Sequence, residues 1–305
     1  MSWQYDHQES GKKKPRFKKG FCYLVCTVKI GDALVTTHLE LYVREKVVRR
    51  LNRGRVKEKR LRFRTKYRMV RAMLEQLRPY LPKKWKVVVQ FDSWYASARL
   101  IQYCLRQKWQ VTCALKQNRT LNGQRIDKIA QELKHKWYTK VGISATDGNQ
   151  TSYFVRRRDG RLADVPQDVR VFFSKRHPRA RSLSYFMSTD ISCSTKTVLQ
   201  GYSGRWSCEV VNYYAKVLLG LADFRVRSFE AVDRYILIVH LAWAYVEQRF
   251  GRDRSTSIQN YGDVIRQHRD EHAVVWLTEA INMALETSDR DQVIRHFLRL
   301  EQLPA

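Results

Sequence analysis

The alternation of hydrophobic and polar residues predicts two strands near the start of the sequence. Residues 21–30 (FCYLVCTVKI) and 33–43 (ALVTTHLELYV) are rich in Val, Tyr, Thr and Leu, which are residues that strands favour. Gly31 and Asp32 separate the two runs and supply the turn of a hairpin. Residues 1–20 are polar and basic, so we expect a solvated arm there, with no strand before Asp6.

Further along, the spacing of the apolar residues changes between helical and strand-like patterns. Residues 85–91 (WKVVVQF) are nearly continuously apolar, which is typical of a strand buried on both faces of a sheet. Between 65 and 77 the apolar residues recur at helical spacing, and Pro79 and Pro82 mark the end of that helix. The elements predicted in this region are a helix over 65–77, a strand over 85–91, a helix over 97–108 and a strand over 111–115.

The remaining patterns predict a strand-rich region followed by helices. Between 120 and 190 lie short segments of alternating polarity (TKVGISA, TSYFVRR, VRVFFSK and SLSYFMSTD), with turns predicted at Asp147-Gly148 and Asp159-Gly160. A long amphipathic helix is predicted over 229–250, where the large apolar face is more typical of core packing than of a membrane or dimer stripe. Further helices are predicted over 260–268, 274–286 and 291–300. These patterns together indicate an α/β fold.

The excess of basic residues points to a polyanionic partner. The 305 residues include 58 Lys and Arg against 29 Asp and Glu, a formal net charge of +29. Such a charge repels itself unless a polyanion compensates it, so nucleic acid is the expected partner. A membrane is not expected, because no apolar run reaches the roughly 18 residues of a spanning helix. The six cysteines are scattered without the paired spacing of a zinc site, which predicts reduced cysteines in a cytosolic protein.

The stretch 202–220 (YSGRWSCEVVNYYAKVLLG) concentrates candidate functional groups. If it is helical, spacings of three, four and seven residues place four polar side chains on one narrow stripe: Tyr202, Arg205, Glu209 and Lys216. The residues predicted to pack on the opposite side are Val210, Tyr213, Tyr214, Val217 and Leu218. Gly220 is predicted to end the helix, since glycine accepts the left-handed conformation. On these residues alone, a solvated face with an Arg205–Glu209 ion pair is the commoner structure.

A second candidate is Asp92, which follows the predicted strand over 85–91 and precedes the predicted helix over 97–108. Open α/β sheets bind ligands beyond the carboxyl ends of their strands. An aspartate at such a place is equally often a helix N-cap or a turn residue. The pattern alone leaves both interpretations open.

These residues and their flanks resemble the DDE transposases of bacterial insertion sequences. The tyrosine, arginine, glutamate and lysine match at their spacings, and the flanking matches are Trp206, Leu219-Gly220-Leu221 and Arg225. The run FDSWYAS, which contains Asp92, and the later ALKQNR are similar to the second-acid segment of that family. The resemblance implies an α/β fold with a ribonuclease-H-like mixed sheet flanked by helices, and a β-rich insertion before the glutamate helix.

This resemblance also implies a division of the chain into regions. We expect a basic arm over 1–20, a ribonuclease-H-like catalytic domain over 21–119 and 191–250, a β-rich insertion over 120–190, and a helical C-terminal extension over 251–305. The role of the extension does not follow from the resemblance.

The chemistry implied by the family is metal-dependent cleavage and transfer of DNA strands. Asp92 and Glu209 are expected to bind Mg²⁺ or Mn²⁺, while Arg205 and Lys216 contact phosphates with Tyr202 beside them. The expected partners are DNA, as transposon ends and as target, and a second copy of the chain in a homodimer on paired ends. The expected location is the bacterial cytoplasm, in association with the nucleoid.

The front of the sequence departs from the family pattern, in which a first aspartate ends a hydrophobic strand. Asp6 and Glu9 are the acids before the first predicted strand, and neither is expected to follow a strand. We therefore expect a chain that lacks its first acid and the family's N-terminal DNA-binding region. Two functions remain open: an active transposase, or a non-catalytic DNA-binding remnant. The spacing of the four polar residues argues against a third, a generic cationic nuclease of the same fold.

Overall fold

The computed structural model describes residues 2–5, 17–31, 33–144, 150–221, 223, 225–226, 228–253 and 258–298. The chain divides into two compact units. The first unit consists of Met1–Thr27 and Thr37–Val210, and the second consists of Val28–Thr36 and Val211–Ala305.

A six-stranded mixed sheet forms the centre of the first unit. Its strands in chain order are β5 (Val88–Phe91), β6 (Gln110–Ala114), β9 (Thr139–Ser144), β10 (Gln150–Arg161), β11 (Asp168–Lys175) and β12 (Ser184–Ser188). Their spatial order is β5-β6-β12-β11-β10-β9. The β5–β6 pair is parallel, with Val89 opposite Val111, and the other pairs are antiparallel. The strands predicted between 120 and 190 therefore continue the same sheet that β5 and β6 begin.

One predicted turn is wrong. Asp159 and Gly160 lie inside β10, opposite Arg170 and Val169 of β11. The strand continues through this pair because the Asp159 carboxylate accepts hydrogen bonds of 2.7 Å from both Nε and Nη2 of Arg170 on the neighbouring strand. The other predicted turn, at Asp147-Gly148, lies outside the described residues.

Helices flank this sheet in the first unit. They are α1 (Glu45–Leu51), α2 (Lys66–Leu77), α3 (Ala98–Arg106), α4 (Ile126–Glu132) and α5 (Thr195–Ser203). Thr65 caps α2 by accepting from the N–H of Arg68, as the predicted boundary requires. Ile101 and Cys104 of α3 are fully buried in one hydrophobic cluster with Val111 and Phe173 of the sheet. This packing holds the end of β5 in place. A short two-stranded ladder, β7 (Thr120–Leu121) and β8 (Gln124–Arg125), precedes α4.

The front of the chain forms two further pairs of strands. Strand β1 (Ser2–Tyr5) pairs antiparallel with β2 (Phe17–Gly20), so the expectation that no strand precedes Asp6 is wrong. Asp6 and Glu9 themselves lie outside the described residues. The predicted hairpin is confirmed as β3 (Cys22–Ile30) paired with β4 (Ala33–Tyr42), although Asp32 of its turn is outside the described part.

The stretch 202–220 is not one continuous α-helix. Helix α5 ends at Ser203, a 3₁₀ turn covers Gly204–Trp206, and α6 covers Ser207–Val217. Two serine hydroxyls accompany the break, since Ser203 Oγ donates to the carbonyl of Gln200 and Ser207 Oγ donates to that of Gly204. Such local side-chain bonds compete with the regular helical ladder and bend it. The predicted stop is confirmed, because Gly220 has a φ of +67° beyond the end of α6.

Three helices dominate the second unit, namely α7 (Phe229–Arg252), α8 (Tyr261–Thr287) and α9 (Arg290–Leu298). The helices predicted over 260–268 and 274–286 are thus one helix, which a capping box of Asn260 and Asp263 initiates. Trp243 is buried, stacks with Tyr214 at 6.2 Å and contacts Tyr261 at 4.8 Å between ring centroids. No helix in the described residues is both long enough and apolar enough to span a membrane.

The packing face predicted for 202–220 is only partly correct. Val211 and Ala215 are the buried residues of α6. Tyr213 and Val217, which were predicted to pack, are more than half exposed. Val211 and Ala215 are four residues apart and share one face of α6, and that face does not include Tyr213 or Val217.

Candidate active site

Asp92 lies at the carboxyl end of β5, directly after the buried Phe91. Its side chain is exposed, and Oδ1 accepts a hydrogen bond of 2.8 Å from the backbone N–H of Trp94. Helix α3 has a different cap, because Ser97 Oγ accepts from the N–H of Leu100. Of the two structural alternatives, the turn aspartate is confirmed and the helix N-cap is wrong. The exposed side chain leaves a ligand-binding role for Asp92 as a prediction.

Tyr202 lies in the last turn of α5, where its ring is tilted against Phe186 of β12 at a centroid distance of 4.9 Å. Burial is the largest cause that raises the pKa of its phenol, and it outweighs the lowering effect of Arg205. The neighbouring Cys113 and Asp92 raise this pKa further. Tyr202 is therefore a neutral phenol at physiological pH, within electrostatic reach of Asp92.

Arg205 lies in the 3₁₀ turn and links the other charged groups. Its Nη1 donates to Glu209 Oε1 at 3.3 Å, and its guanidinium carbon is 5.6 Å from the centroid of the Tyr202 ring. Burial acts to lower the pKa of this guanidinium, but Tyr202, Glu209 and Asp92 together raise it. Arg205 therefore stays charged although it is partly buried, and both candidate carboxylates act on it electrostatically.

Glu209 lies in the first turn of α6, where a carboxylate is favoured by the helix dipole. Its side chain is 44% exposed. Strand β3 lies beside this turn, since Thr27 Oγ1 is 3.2 Å from Cys208 Sγ. Tyr23 of the same strand has a raised pKa, caused first by burial and then by Cys22 and Glu209. The carboxylate of Glu209 is thus open to solvent on one side and bordered by β3 on the other.

Lys216 lies in the last turn of α6 and belongs to the second unit. The structure of the first unit therefore brings together four of the five predicted residues: Asp92, Tyr202, Arg205 and Glu209. They come from four different elements, namely the end of β5, α5, the 3₁₀ turn and α6, and not from one helical stripe.

Arg119 is a charged residue of the same region that the sequence pattern did not single out. Its Nε and Nη2 atoms are buried and have no hydrogen-bond partner within the described residues, and the same holds for Nε of Arg205. Arg119 lowers the pKa of Cys113, which burial raises most and which Asp92 raises as well. Buried guanidinium donors without partners require an explanation, and phosphate oxygens match their geometry. The available signal was the position of Arg119 at the end of the ALKQNR run.

The donor chemistry of the cluster suits a hard divalent cation. Asp92 and Glu209 supply carboxylate oxygens, which Mg²⁺ and Mn²⁺ prefer, and Mg²⁺ commonly binds through one or two carboxylates together with substrate phosphates and water. Among the described residues, no group of three His, Cys, Asp or Glu side chains could hold a metal ion. The two carboxylates therefore fit such an ion in type and in charge, with the remaining ligands supplied from elsewhere.

Comparison with known proteins identifies one family. The family model described as "Transposase DDE domain" matches residues 64–245, which is more than half of the chain. The matched range contains all five predicted residues: Asp92, Tyr202, Arg205, Glu209 and Lys216. No curated protein matches the sequence.

Proposed function

Because this chain belongs to the transposases with a DDE domain, we propose that it cleaves and joins DNA strands through the cluster around Asp92 and Glu209. The observation that carries this proposal is the position of Arg205, which donates to Glu209 at 3.3 Å and is also acted on electrostatically by Asp92. Both acids are therefore in the electrostatic environment of one fixed cation. The partner is DNA, as transposon ends and as target, and the net charge of +29 supports a polyanionic substrate.

Asp92 and Glu209 are the residues that would hold Mg²⁺ or Mn²⁺. When bound, such ions stabilise the charge that develops on the attacking and leaving oxygens of a phosphodiester. Asp6 is the candidate for a third carboxylate, because in the sequence it follows β1 directly. A carboxylate after a strand is also the setting of Asp92.

The arginines have a separate task in this proposal. Arg205 and Arg119 hold phosphate oxygens of the bound strand, since both carry buried guanidinium nitrogens that no described group satisfies. A guanidinium binds phosphate through parallel hydrogen bonds and stays charged at every physiological pH. Tyr202 positions Arg205 through ring contact, and Lys216 adds a further phosphate contact.

The proposed fold is ribonuclease-H-like, with β9–β12 as the β-rich insertion before the glutamate helix. The support is the mixed six-stranded sheet with Asp92 at the end of its parallel pair and with α6 following its last strand in the chain. By family analogy the active form is a homodimer on paired DNA ends in the bacterial cytoplasm, in association with the nucleoid.

A second candidate function is a DNA-binding remnant without catalysis. It is favoured by one observation: among the described residues, no three His, Cys, Asp or Glu side chains form a group that could hold a metal ion. Such a protein would bind phosphates through its basic surface and would block the ends from an active copy.

Cleavage of the element's own end DNA distinguishes the two functions. We would incubate the chain with that DNA and Mg²⁺ or Mn²⁺, beside Asp92→Ala, Glu209→Ala and Asp6→Asn. Glu58→Ala, at an exposed glutamate in a 3₁₀ turn, is the matched control. The proposed function requires nicking by the wild type and by the control, and loss of nicking in both alanine variants. Salt-sensitive binding without any nicking would leave only the remnant.

A further inference from the structure

Trp94 is a large aromatic side chain left in solvent beside a candidate catalytic carboxylate. It is 52% exposed and stands two residues after Asp92. An indole contributes most to stability when it is buried, so an indole half in water contributes little to the core. Exposure alone is common in this chain, since Trp85, Trp206 and Trp276 are exposed too. What sets Trp94 apart is its direct hydrogen bond to Asp92 and the cations beside its ring.

The backbone of Trp94 is fixed on both sides. Its N–H donates to Asp92 Oδ1 at 2.8 Å, and its carbonyl accepts from the hydroxyl of Tyr67 at 2.8 Å. Tyr67 is itself in edge contact with Tyr95 at a centroid distance of 6.3 Å. The backbone that carries the indole is thus tied directly to the carboxylate, as the backbone of a binding group near a reaction centre should be.

Two lysine ammonium groups lie close to the indole ring of Trp94. Lys66 Nζ is 5.6 Å and Lys116 Nζ is 5.1 Å from its centroid, and Lys66 is also 5.1 Å from the ring of Tyr42. Within the described residues neither lysine forms an ion pair with a carboxylate, so both charges remain available. A cation over an exposed ring is worth only about 0.5–1 kcal/mol. A phosphate group can therefore draw these flexible side chains away from the indole.

An aromatic face with flanking cations is the composition of sites for single-stranded nucleic acid. The ring stacks on a base, and the cations contact the phosphates on either side. A base within a duplex has both faces covered by its neighbours, so the ligand must be unpaired or at a strand end. We propose that Trp94 is a stacking platform for an unpaired nucleobase next to the bond that is cleaved, with Lys66 and Lys116 holding the adjacent phosphates.

This inference rests on the proposed function in one respect, namely that the substrate is DNA. It does not depend on cleavage, so it is tested without metal. The probe is a short single-stranded oligodeoxynucleotide that contains the fluorescent base 2-aminopurine, titrated in EDTA with the full chain. Stacking on an indole quenches the fluorescence of this base, while phosphate binding alone does not.

The variants distinguish the effect of aromatic stacking from the effect of a large apolar side chain. Trp94→Leu keeps an apolar side chain but cannot stack, and we expect it to abolish quenching and weaken binding by roughly tenfold or more. Trp94→Phe restores most of both, since a phenyl ring also stacks. Trp276→Leu is the matched control, because that indole is 58% exposed, lies in α8 of the second unit and is outside the proposed site. Lys116→Ala should reduce the salt dependence of binding by the equivalent of about one phosphate contact.

Two results would overturn the inference. One is quenching and affinity in Trp94→Leu equal to those of the wild type. The other is a wild-type chain that binds no single-stranded DNA, which leaves the proposed function intact if duplex ends are still nicked. Circular dichroism of each variant shows whether it folds, and the Lys116→Ala titration decides the case if Trp94→Leu does not.

Discussion

Two carboxylates in this molecule have opposite surroundings. Glu247, in the second unit, is buried and saturated with hydrogen bonds. It accepts from the N–H and the hydroxyl of Thr36 and from Nε1 of Trp243, each at 2.6 Å. His240 Nε2 completes the arrangement at 3.0 Å from the carbonyl of Thr36. This glutamate joins the tip of the β3–β4 hairpin to α7 within the second unit.

Glu209, in the first unit, has a side chain that is 44% exposed and accepts one hydrogen bond within the described residues, from Arg205 at 3.3 Å. Asp92 is similar, with an exposed side chain and a hydrogen bond from the N–H of Trp94. A carboxylate whose oxygens are all satisfied by the protein has no capacity for a ligand. A carboxylate that has free lone pairs and lies beside a fixed cation can still bind a ligand. Glu247 therefore stabilises the fold, whereas the carboxylates of Glu209 and Asp92 are available to bind a ligand.

The largest expected effect is on activity. Glu209→Gln should reduce nicking of end DNA by about 10³-fold, because the amide removes the charge that a divalent cation requires. Since Glu209 is partly exposed and not part of a buried network, the melting temperature of the variant should stay within about 2 °C of that of the wild type. Gel-based nicking rates and thermal melting measure the two quantities. A marked loss of melting temperature would show that Glu209 serves the fold and would remove the contrast with Glu247.

The next effect is on stability. Glu247→Leu leaves the N–H and the hydroxyl of Thr36 without their acceptor, while Trp243 Nε1 keeps Thr36 Oγ1 at 3.0 Å. A buried unpaired donor costs roughly 1–3 kcal/mol. We expect a loss of about 3 kcal/mol in the free energy of unfolding, measured by urea denaturation. Glu279→Leu, at an exposed position of α8, should change it by less than about 0.5 kcal/mol. Equal effects of the two substitutions would contradict a structural role for Glu247.

A smaller effect is expected at Arg205. Arg205→Lys retains a positive charge but loses the planar arrangement of donors, so nicking should fall by about tenfold. The nicking rate of Arg205→Ala should fall further, because the positive charge beside Glu209 is then absent. Arg99→Lys, at an exposed arginine of α3, is the matched control in the same nicking assay. Full activity in Arg205→Lys would mean that a positive charge suffices.

The smallest effect is a dependence of stability on pH. Burial is the main cause that raises the pKa of Glu247 above its ordinary value, and it outweighs the hydrogen bonds from Thr36 and Trp243 that lower it. A carboxyl with a raised pKa in the folded state contributes stability below its unfolded pKa, and this contribution is lost as the pH rises through the folded pKa. From pH 4 to pH 7 the unfolding free energy of the wild type should therefore decrease relative to that of Glu247→Gln, which has no carboxyl to titrate at this position.

Urea denaturation at several pH values measures this difference, and the titration of other groups cancels because both proteins share them. A difference that stays constant, or that moves in favour of the wild type as the pH rises, would contradict the raised pKa of Glu247.

Much of the fold was predictable because local patterns carry it. The helix boundary at Thr65 and the stop at Gly220 follow from capping chemistry, which involves residues within one turn of each other. The strands within 85–91 and 111–115 are confirmed as β5 and β6. The expectation that the first is buried on both faces is wrong, because β5 lies at the edge of the six-stranded sheet and Val88 is 43% exposed. The error at Asp159-Gly160 came from a long-range cause, because a partner on another strand, Arg170, keeps this pair in β10.

The sequence by itself determined the family, the candidate residues and a net positive charge that favours a nucleic-acid partner. Residue types and their spacings can be read directly from the chain. The tertiary structure alone decided which groups meet. It interrupted 202–220 with a 3₁₀ turn and bonded Arg205 to Glu209 in the electrostatic field of Asp92. It placed Arg119 close enough to lower the pKa of Cys113. It also paired Thr36 with Glu247 across 211 positions. Contacts at such separations depend on how whole elements pack, and no local pattern records that packing.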